Sequence, residues 1–207
     1  MRVSRIYLAR HGQDEDNANG ILNGQRDRPL TALGVEQAQM LAKKIQSLEL
    51  NIHKILSSSL QRAYKTAEIV AETLGLEKPT PLNLLGERDF GVMTGEPVKD
   101  ITTRCSPNII ISDPIIYFLS PEGAETFPDL LVRAQKILDH IDQNESSEPI
   151  LLVTHGDIGK MIYCQFYQLD WQDVLKQFHF GNSEVLLLEK DSRPEDRHLH
   201  KTIQHNH

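Results

Sequence analysis

Short apolar runs alternate with stretches of helical periodicity along most of this chain. That alternation predicts an α/β protein: a three-layer α/β/α sandwich with a mostly parallel central sheet. Two further observations refine the class. The run Ile150-Leu151-Leu152-Val153-Thr154 is apolar without interruption, as expected of a central strand covered on both faces. The stretch from about residue 91 to 128 breaks the rhythm with Pro97, Pro107, Pro114, Pro121 and Pro128, yet keeps apolar Ile109-Ile110-Ile111 and Ile115-Ile116-Tyr117-Phe118-Leu119. It is too apolar for a solvated linker and reads as a lid inserted over the sheet.

The elements follow in order. Ile6-Tyr7-Leu8-Ala9 is the first strand. Thr31 caps a helix that carries Ala38, Leu41, Ile45 and Leu48 on one face. Lys54-Ile55-Leu56 is a short strand ending in Ser57-Ser58-Ser59. The next helix has Ala63, Ala67, Val70 and Leu74 in register and stops at Gly75. Pro79 and Pro81 bracket a turn, and Leu82 to Leu85 form a third strand. Leu130, Ala134, Ile137 and Ile141 mark another helix. After the strand at 150–154, Asp157 caps a helix, and Glu184 to Leu188 make the final strand.

The 207 residues suit one domain, residues 1–190, with the lid at about 91–128 inside it. The remainder, 191–207, is polar and histidine-rich (His198, His200, His205, His207); it reads as a disordered tail, with metal binding as the alternative. Lys and Arg number 22 against 29 Asp and Glu, so the formal net charge is −7 and no nucleic-acid surface is expected. Any anion site must concentrate its positive charge locally. Two cysteines, Cys105 and Cys164, do not make a disulfide framework, so a reducing compartment, the cytoplasm, is the expectation. Met1-Arg2-Val3-Ser4-Arg5 leads into a strand without an apolar signal region, and no run approaches the roughly 20 residues of a membrane span.

Function is concentrated where two strands end: Arg10-His11-Gly12 and His155-Gly156. Strand ends are where an α/β sheet presents ligand-binding groups. If the two strands are neighbours, two imidazoles and a guanidinium meet at a place for an anion. An imidazole nitrogen can attack phosphorus and split a hard transfer into two steps. The phosphoryl oxygens then need fixed positive donors, which arginine supplies as a planar, permanently charged fork. Arg10 adjoins His11. Arg62 lies at the corner after Ser57-Ser58-Ser59, where a helix N-terminus adds its own dipole. His155 is a third donor. Glu87, just after a predicted strand, is placed to protonate the departing oxygen, with Asp89 as the competing acid.

These blocks resemble the histidine phosphatase superfamily, which includes cofactor-dependent phosphoglycerate mutases and many phosphatases. The resemblance rests on Arg10-His11-Gly12, on Ser58-Ser59-Leu60-Gln61-Arg62-Ala63 with Thr66-Ala67, on Glu87-Arg88-Asp89-Phe90-Gly91 with Gly95, and on Thr154-His155-Gly156. Asn17, the Leu30 to Ala38 run, and Gly123, Glu125 and Thr126 leading to Arg133 support it. It implies that His11 is phosphorylated, that Arg10, Arg62, His155, Asn17 and Gly156 bind the phosphate, that Glu87 is proton donor and then base, and that no metal is needed. The substrate expected is a small phosphorylated metabolite.

The same comparison favours a phosphatase over a mutase. Asp16 stands where mutases carry tryptophan, Phe90 where they carry tyrosine, and Arg104 is the only basic residue between Lys99 and Arg133. Asp14, Glu15 and Asp16 beside the pocket would repel a multiply charged substrate. No cofactor is then expected; 2,3-bisphosphoglycerate would serve only a mutase. A protein phosphatase and a non-catalytic phosphate-binding module are the remaining readings. The structural alternative to a catalytic Glu87 is a salt bridge to Arg88; His155 is expected to titrate with Glu87 in a bell-shaped pH profile, and Lys65 and Arg133 to be solvated. His53, His140 and His179 take the structural default. An uncovered apolar lid would make a homodimer surface.

Overall fold

Strand β1 (Arg5–Arg10) alternates its side chains between two apolar layers, and the whole fold is organised around that alternation. A computed structural model of the chain describes residues 5–190 and 198–200. After β1 come a single-turn helix α1 (Glu15–Asn19) and the long helix α2 (Ala32–Ser47), whose N-cap Thr31 accepts from the Gly34 amide as its sequence predicts. Then follow β2 (Lys54–Ser57), α3 (Gln61–Leu74), closed by Gly75 in the left-handed region, and the short β3 (Thr80–Pro81). The lid contains α4 (Ile101–Cys105) and a hairpin, β4 (Ile109–Ser112) with β5 (Ile115–Phe118). Helix α5 (Phe127–Asn144), β6 (Ile150–Thr154), α6 (Gly156–Tyr167), α7 (Trp171–Gln177), β7 (Val185–Glu189) and β8 (His198–His200) complete the order.

The main sheet runs β3-β2-β6-β1-β7-β8. β3, β2, β6 and β1 are parallel, while β7 and β8 are antiparallel additions at one edge. Ile6 and Leu8 of β1, with Ile150 and Leu152 of β6, face α5, α6 and α7; Tyr7, Ala9, Leu151 and Val153 face α2 and α3. This is the three-layer sandwich the sequence predicts. All five residues of β6 are buried, in keeping with its central place. The chain leaves β1 for a helix on one face and leaves neighbouring β6 for a helix on the other. The crevice between their C-terminal ends is therefore a topological switch point, where open α/β sheets bind ligands.

The third strand is not where the sequence puts it. Pairing with β2 lasts only through Thr80 and Pro81, and Asn83–Leu85 turn as a 3-10 helix. Edge position explains both features: proline is tolerated there because its missing N–H faces away from the ladder. The turn buries Leu85 and lets its carbonyl accept from the Thr154 hydroxyl at 2.7 Å, tying this loop to the end of β6. The lid has a core of its own, made of Met93, Ile101, Cys105 and Phe118 with Leu22 and Phe90. Most of its apolar side chains are thus covered within the chain. Of the histidine-rich tail, His198–His200 pair with β7; the rest of the tail, and the metal-binding reading of it, lie outside the described residues. Among the described residues no helix is long and apolar enough to cross a membrane.

Candidate active site

Parallel pairing places Arg10 beside Thr154, so His11 and His155 leave adjacent strands side by side. Their ring centroids are 4.9 Å apart, and both are almost fully buried. The loop after β1 is fixed from several directions. The His11 amide donates to Thr154 O, the Gly12 amide to Thr66 Oγ1 on α3 at 3.0 Å, and Asn182 Nδ2 to His11 O at 3.0 Å. Gly12 and Gly34 let this loop meet the start of α2 backbone to backbone: a Cβ on Gly34 would run into the Gln13 carbonyl oxygen.

Hydrogen bonds assign the tautomers. His11 Nδ1 lies 2.6 Å from Gly12 O, a pure acceptor, so Nδ1 carries the proton. Nε2 then keeps its lone pair, which accepts from Arg62 Nε at 3.3 Å. Burial first, and then the charges of Arg62 and Arg10, hold His11 well below the usual imidazole range, so it stays neutral. His155 Nε2 is 2.8 Å from Ser58 Oγ, whose oxygen also accepts from the Leu60 amide. The hydroxyl hydrogen goes to Nε2, leaving a proton on Nδ1, which is buried and has no hydrogen-bond partner among the described residues. An incoming phosphoryl oxygen is the acceptor that nitrogen lacks. His155 is itself held well below its ordinary range, mainly by burial and then by Arg62, so it donates as a neutral imidazole. His155 is therefore not the group that sets a limb of the expected bell-shaped profile near neutral pH.

Arg62 is fully buried on the first turn of α3 and braced on every nitrogen. Nε pairs with Asp14 Oδ2 at 3.1 Å, Nη1 donates to Arg26 O at 2.6 Å and Nη2 to Gly24 O at 2.7 Å. Two N–H bonds of the fork remain for a ligand oxygen. Asp14 also accepts from the Asn17 amide and Asn23 Nδ2, while Asp16 pairs with Arg26 at 2.9 Å and faces Arg28 at 3.8 Å. These two carboxylates are therefore neutralised partners of the site's arginines, not a repulsive cluster, and that argument against a multiply charged substrate falls. Arg10 donates from Nη1 to Phe180 O at 2.7 Å. Asn17, buried on α1, accepts from Asn182 Nδ2 through Oδ1 at 3.3 Å, which joins it to the His11 loop.

Glu87 is 5% exposed and sits on the N-terminus of α6. Its Oε2 accepts from the amides of Gly156 at 3.0 Å and Asp157 at 3.3 Å; its Oε1 accepts from Ile158 at 3.3 Å and Arg88 at 2.8 Å. The Gly156 amide is thus committed to Glu87 rather than offered to phosphate. Gly156 lies against both groups: a Cβ there would sit in van der Waals contact with the Arg10 guanidinium and the Glu87 carboxylate, each 3.6 Å away. Burial, then the neighbouring Asp157 carboxylate, push Glu87 above the usual carboxylate range. Asp89, by contrast, is exposed and caps the Gly91 amide.

Three supporting roles differ from expectation. Asp157 is not the cap of α6, because Glu87 occupies the helix end; Asp157 pairs with Arg88 at 2.7 Å instead. Arg88 meets the Glu87 carboxylate only through its backbone amide and spends its side-chain charge on Asp157. Its guanidinium is buried 4.9, 4.3 and 4.6 Å from the ring centroids of Phe90, Phe118 and Phe127, pinning the lid to the sandwich. Arg133 is not solvated: it pairs with Glu125 and donates to the carbonyls of Leu84, Gly86 and Glu87, which fixes the Glu87 loop. Lys65 is exposed beside Glu68, as expected. Breaking the Arg88 pair strands a buried charge, which costs about 3–5 kcal/mol. Arg88→Met is expected to lower Tm by roughly 6–20 °C for a domain of this size, measurable by calorimetry.

Two imidazoles and two guanidiniums converging on one buried nitrogen lone pair, with an elevated carboxyl beside them, define an enzyme of the phosphoryl-transfer class. Comparison with known proteins narrows that class. Residues 6–199 match the model of the histidine phosphatase superfamily, branch 1, and the chain belongs to that family. It is 28% identical over 200 residues to a 2,3-bisphosphoglycerate-dependent phosphoglycerate mutase of Bradyrhizobium sp. (strain ORS 278), covering 93% of this chain and 95% of that protein. It is 30% identical over 172 residues to a metal-independent phosphoserine phosphatase of Arabidopsis thaliana, covering 80% of this chain and 70% of the relative. A mycobacterial glucosyl-3-phosphoglycerate phosphatase solved with VO3 shares the fold, with TM-score 0.76 at 24% identity over 89% of this chain and 92% of the other.

Proposed function

We propose that this chain hydrolyses a small phosphorylated metabolite by way of a phosphohistidine on His11. The observation that carries the reading is the orientation of His11: Nδ1–H is spent on Gly12 O, and the Nε2 lone pair points toward Arg62. Nε2 attacks phosphorus as the ester P–O bond breaks, and the departing oxygen takes its proton from Glu87. The guanidinium of Arg62, Arg10 and the Nδ1–H of His155 hold the equatorial oxygens. Water then attacks the phosphohistidine, Glu87 removes its proton, and the N–P electron pair returns to Nε2. No step requires a metal or a cofactor. The phosphatase names among the relatives support this reading, and so does the scarcity of lid cations, since Arg104 is paired with Glu96 at 2.6 Å. The cytoplasm is the compartment we assign.

The second reading is a phosphoglycerate mutase, favoured by the near-complete coverage of the Bradyrhizobium relative. In that case 2,3-bisphosphoglycerate would prime His11. Incubation with 3-phosphoglycerate and a trace of 2,3-bisphosphoglycerate separates the two. Phosphate release outpacing 2-phosphoglycerate is the expected result, and the reverse order would replace the hydrolase reading by the mutase one.

A further inference from the structure

Lys160 is a buried basic group that the phosphoryl chemistry leaves unused. It lies on α6, is 2% exposed, and lines the same pocket as Arg10 and Glu87. Its ammonium donates to the Tyr117 phenol oxygen on β5 and lies 4.5 and 5.6 Å from the ring centroids of Tyr117 and Phe178. Among the described residues it makes no ion pair, because nearby Asp157 is committed to Arg88 at 2.7 Å. A buried ammonium without a paired anion is a costly arrangement. Burial accordingly pushes Lys160 down to about 7, against the pull of the Asp157 charge.

We infer that Lys160 is an anchor for the alcohol part of the substrate, holding a carboxylate in the pocket between α6 and the lid strand β5. The inference rests on the hydrolase reading above and names the substrate class for it. Gly156 and Lys160 are four residues apart on one face of α6, about 6 Å along the axis. Glu87 sits at the Gly156 end. Glu87 and Lys160 line one pocket, so a carboxylate held by Lys160 shares that pocket with the oxygen that Glu87 protonates, and a short carbon chain joins the two. The walls between are Phe90, Ile115 and Phe180, which suit a carbon skeleton. A second phosphate would demand several charge-assisted donors. Here one ammonium is available, and Arg10 has already committed Nη1 to Phe180 O.

Two phosphomonoesters with the same three-carbon chain test this. 3-Phosphoglycerate carries the carboxylate; glycerol 3-phosphate has a hydroxymethyl group in its place. Released phosphate is measured for each. Wild type is expected to prefer 3-phosphoglycerate by about 10- to 100-fold in kcat/KM, the scale of a charge-assisted hydrogen bond, and mainly through KM. In Lys160→Met the ratio collapses toward one, and Lys160→Arg restores most of it. A merely structural lysine would lower both substrates together and leave the ratio unchanged, which would overturn the inference; so would a wild type without preference. A competition assay covers a Lys160→Met protein that does not fold. Glycerate must inhibit p-nitrophenyl phosphate hydrolysis by wild type at least about 10-fold more tightly than glycerol, and equal inhibition overturns the assignment. If wild type cleaves p-nitrophenyl phosphate but neither three-carbon ester, the Lys160 inference alone falls. If it cleaves none of the three, the hydrolase reading falls with it.

Discussion

Replacing His11 by Ala is expected to lower kcat for phosphomonoester hydrolysis by at least about 10³-fold, because the covalent route disappears and only binding and positioning remain. The loss is chemical rather than structural. Arg62 stays paired with Asp14 and braced on Gly24 O and Arg26 O when the imidazole is gone. The His11 backbone contacts to Thr154 and Asn182 survive a side-chain truncation. The variant should therefore melt as a single cooperative domain near the wild-type Tm. His155→Ala is the informative contrast. His155 stabilises charge without bonding to phosphorus, so its removal is expected to cost about 10²–10³-fold, the scale of one lost charge-stabilising donor. Quenching a reaction with ³²P-labelled substrate in alkali should trap labelled protein from wild type and His155→Ala and none from His11→Ala. Label retained by His11→Ala would sink the nucleophile assignment.

The two histidine-glycine pairs are legible in the sequence because each closes a strand whose burial is written in its own residues. Thr31 and Gly75 are legible because a cap is a local device, set by one residue and its immediate neighbours. What sequence hides is set by groups that meet from far apart in the chain. Ser58 reaches His155 across 97 positions, Thr66 reaches the Gly12 amide across 54, and Asn182 reaches His11 O across 171. Asn182 and Ser183 precede β7, and because β7 is antiparallel to β1, its start lies against the end of β1. The antiparallel run of β7 beside β1 is the one clue that draws the Gly181-Asn182-Ser183 turn into the site. Asp14, Asp16 and Asp157 depart from expectation for a common reason. Sequence displays a carboxylate's charge but not the arginine that neutralises it, and all three are paired. Lys160 is hidden inside an apolar helix pattern, where burial alone turns a lysine into a question about its anion.

Glu87→Gln should separate proton donation from every other function of the site through its dependence on the leaving group. An alkyl phosphate must be protonated as it departs, so kcat/KM for such an ester is expected to fall about 10²–10⁴-fold. p-Nitrophenolate leaves without a proton, and kcat/KM for p-nitrophenyl phosphate reports only the step that forms the phosphohistidine. That value is expected to fall by no more than about 10-fold, the cost of one perturbed neutral hydrogen bond. kcat for the same substrate falls further, because the missing carboxylate no longer activates water. A burst of p-nitrophenolate followed by slow turnover is the expected trace. The pH dependence supplies the sign. Glu87 is raised above its ordinary range, and as acid it must be protonated, so alkyl phosphatase activity is lost as pH rises through that elevated value. His11, depressed well below the imidazole range, must be neutral, so activity is lost on the other side only as pH falls through its lowered value. Glutamine cannot titrate, and the alkaline limb should vanish in the variant while the acid limb stays. The amide also places an N–H₂ group against two of the four amides that Glu87 now satisfies, which costs about 1–3 kcal/mol of stability. Equal losses on both substrates, with the alkaline limb intact, would assign the proton to a different group and reduce Glu87 to the cap of α6.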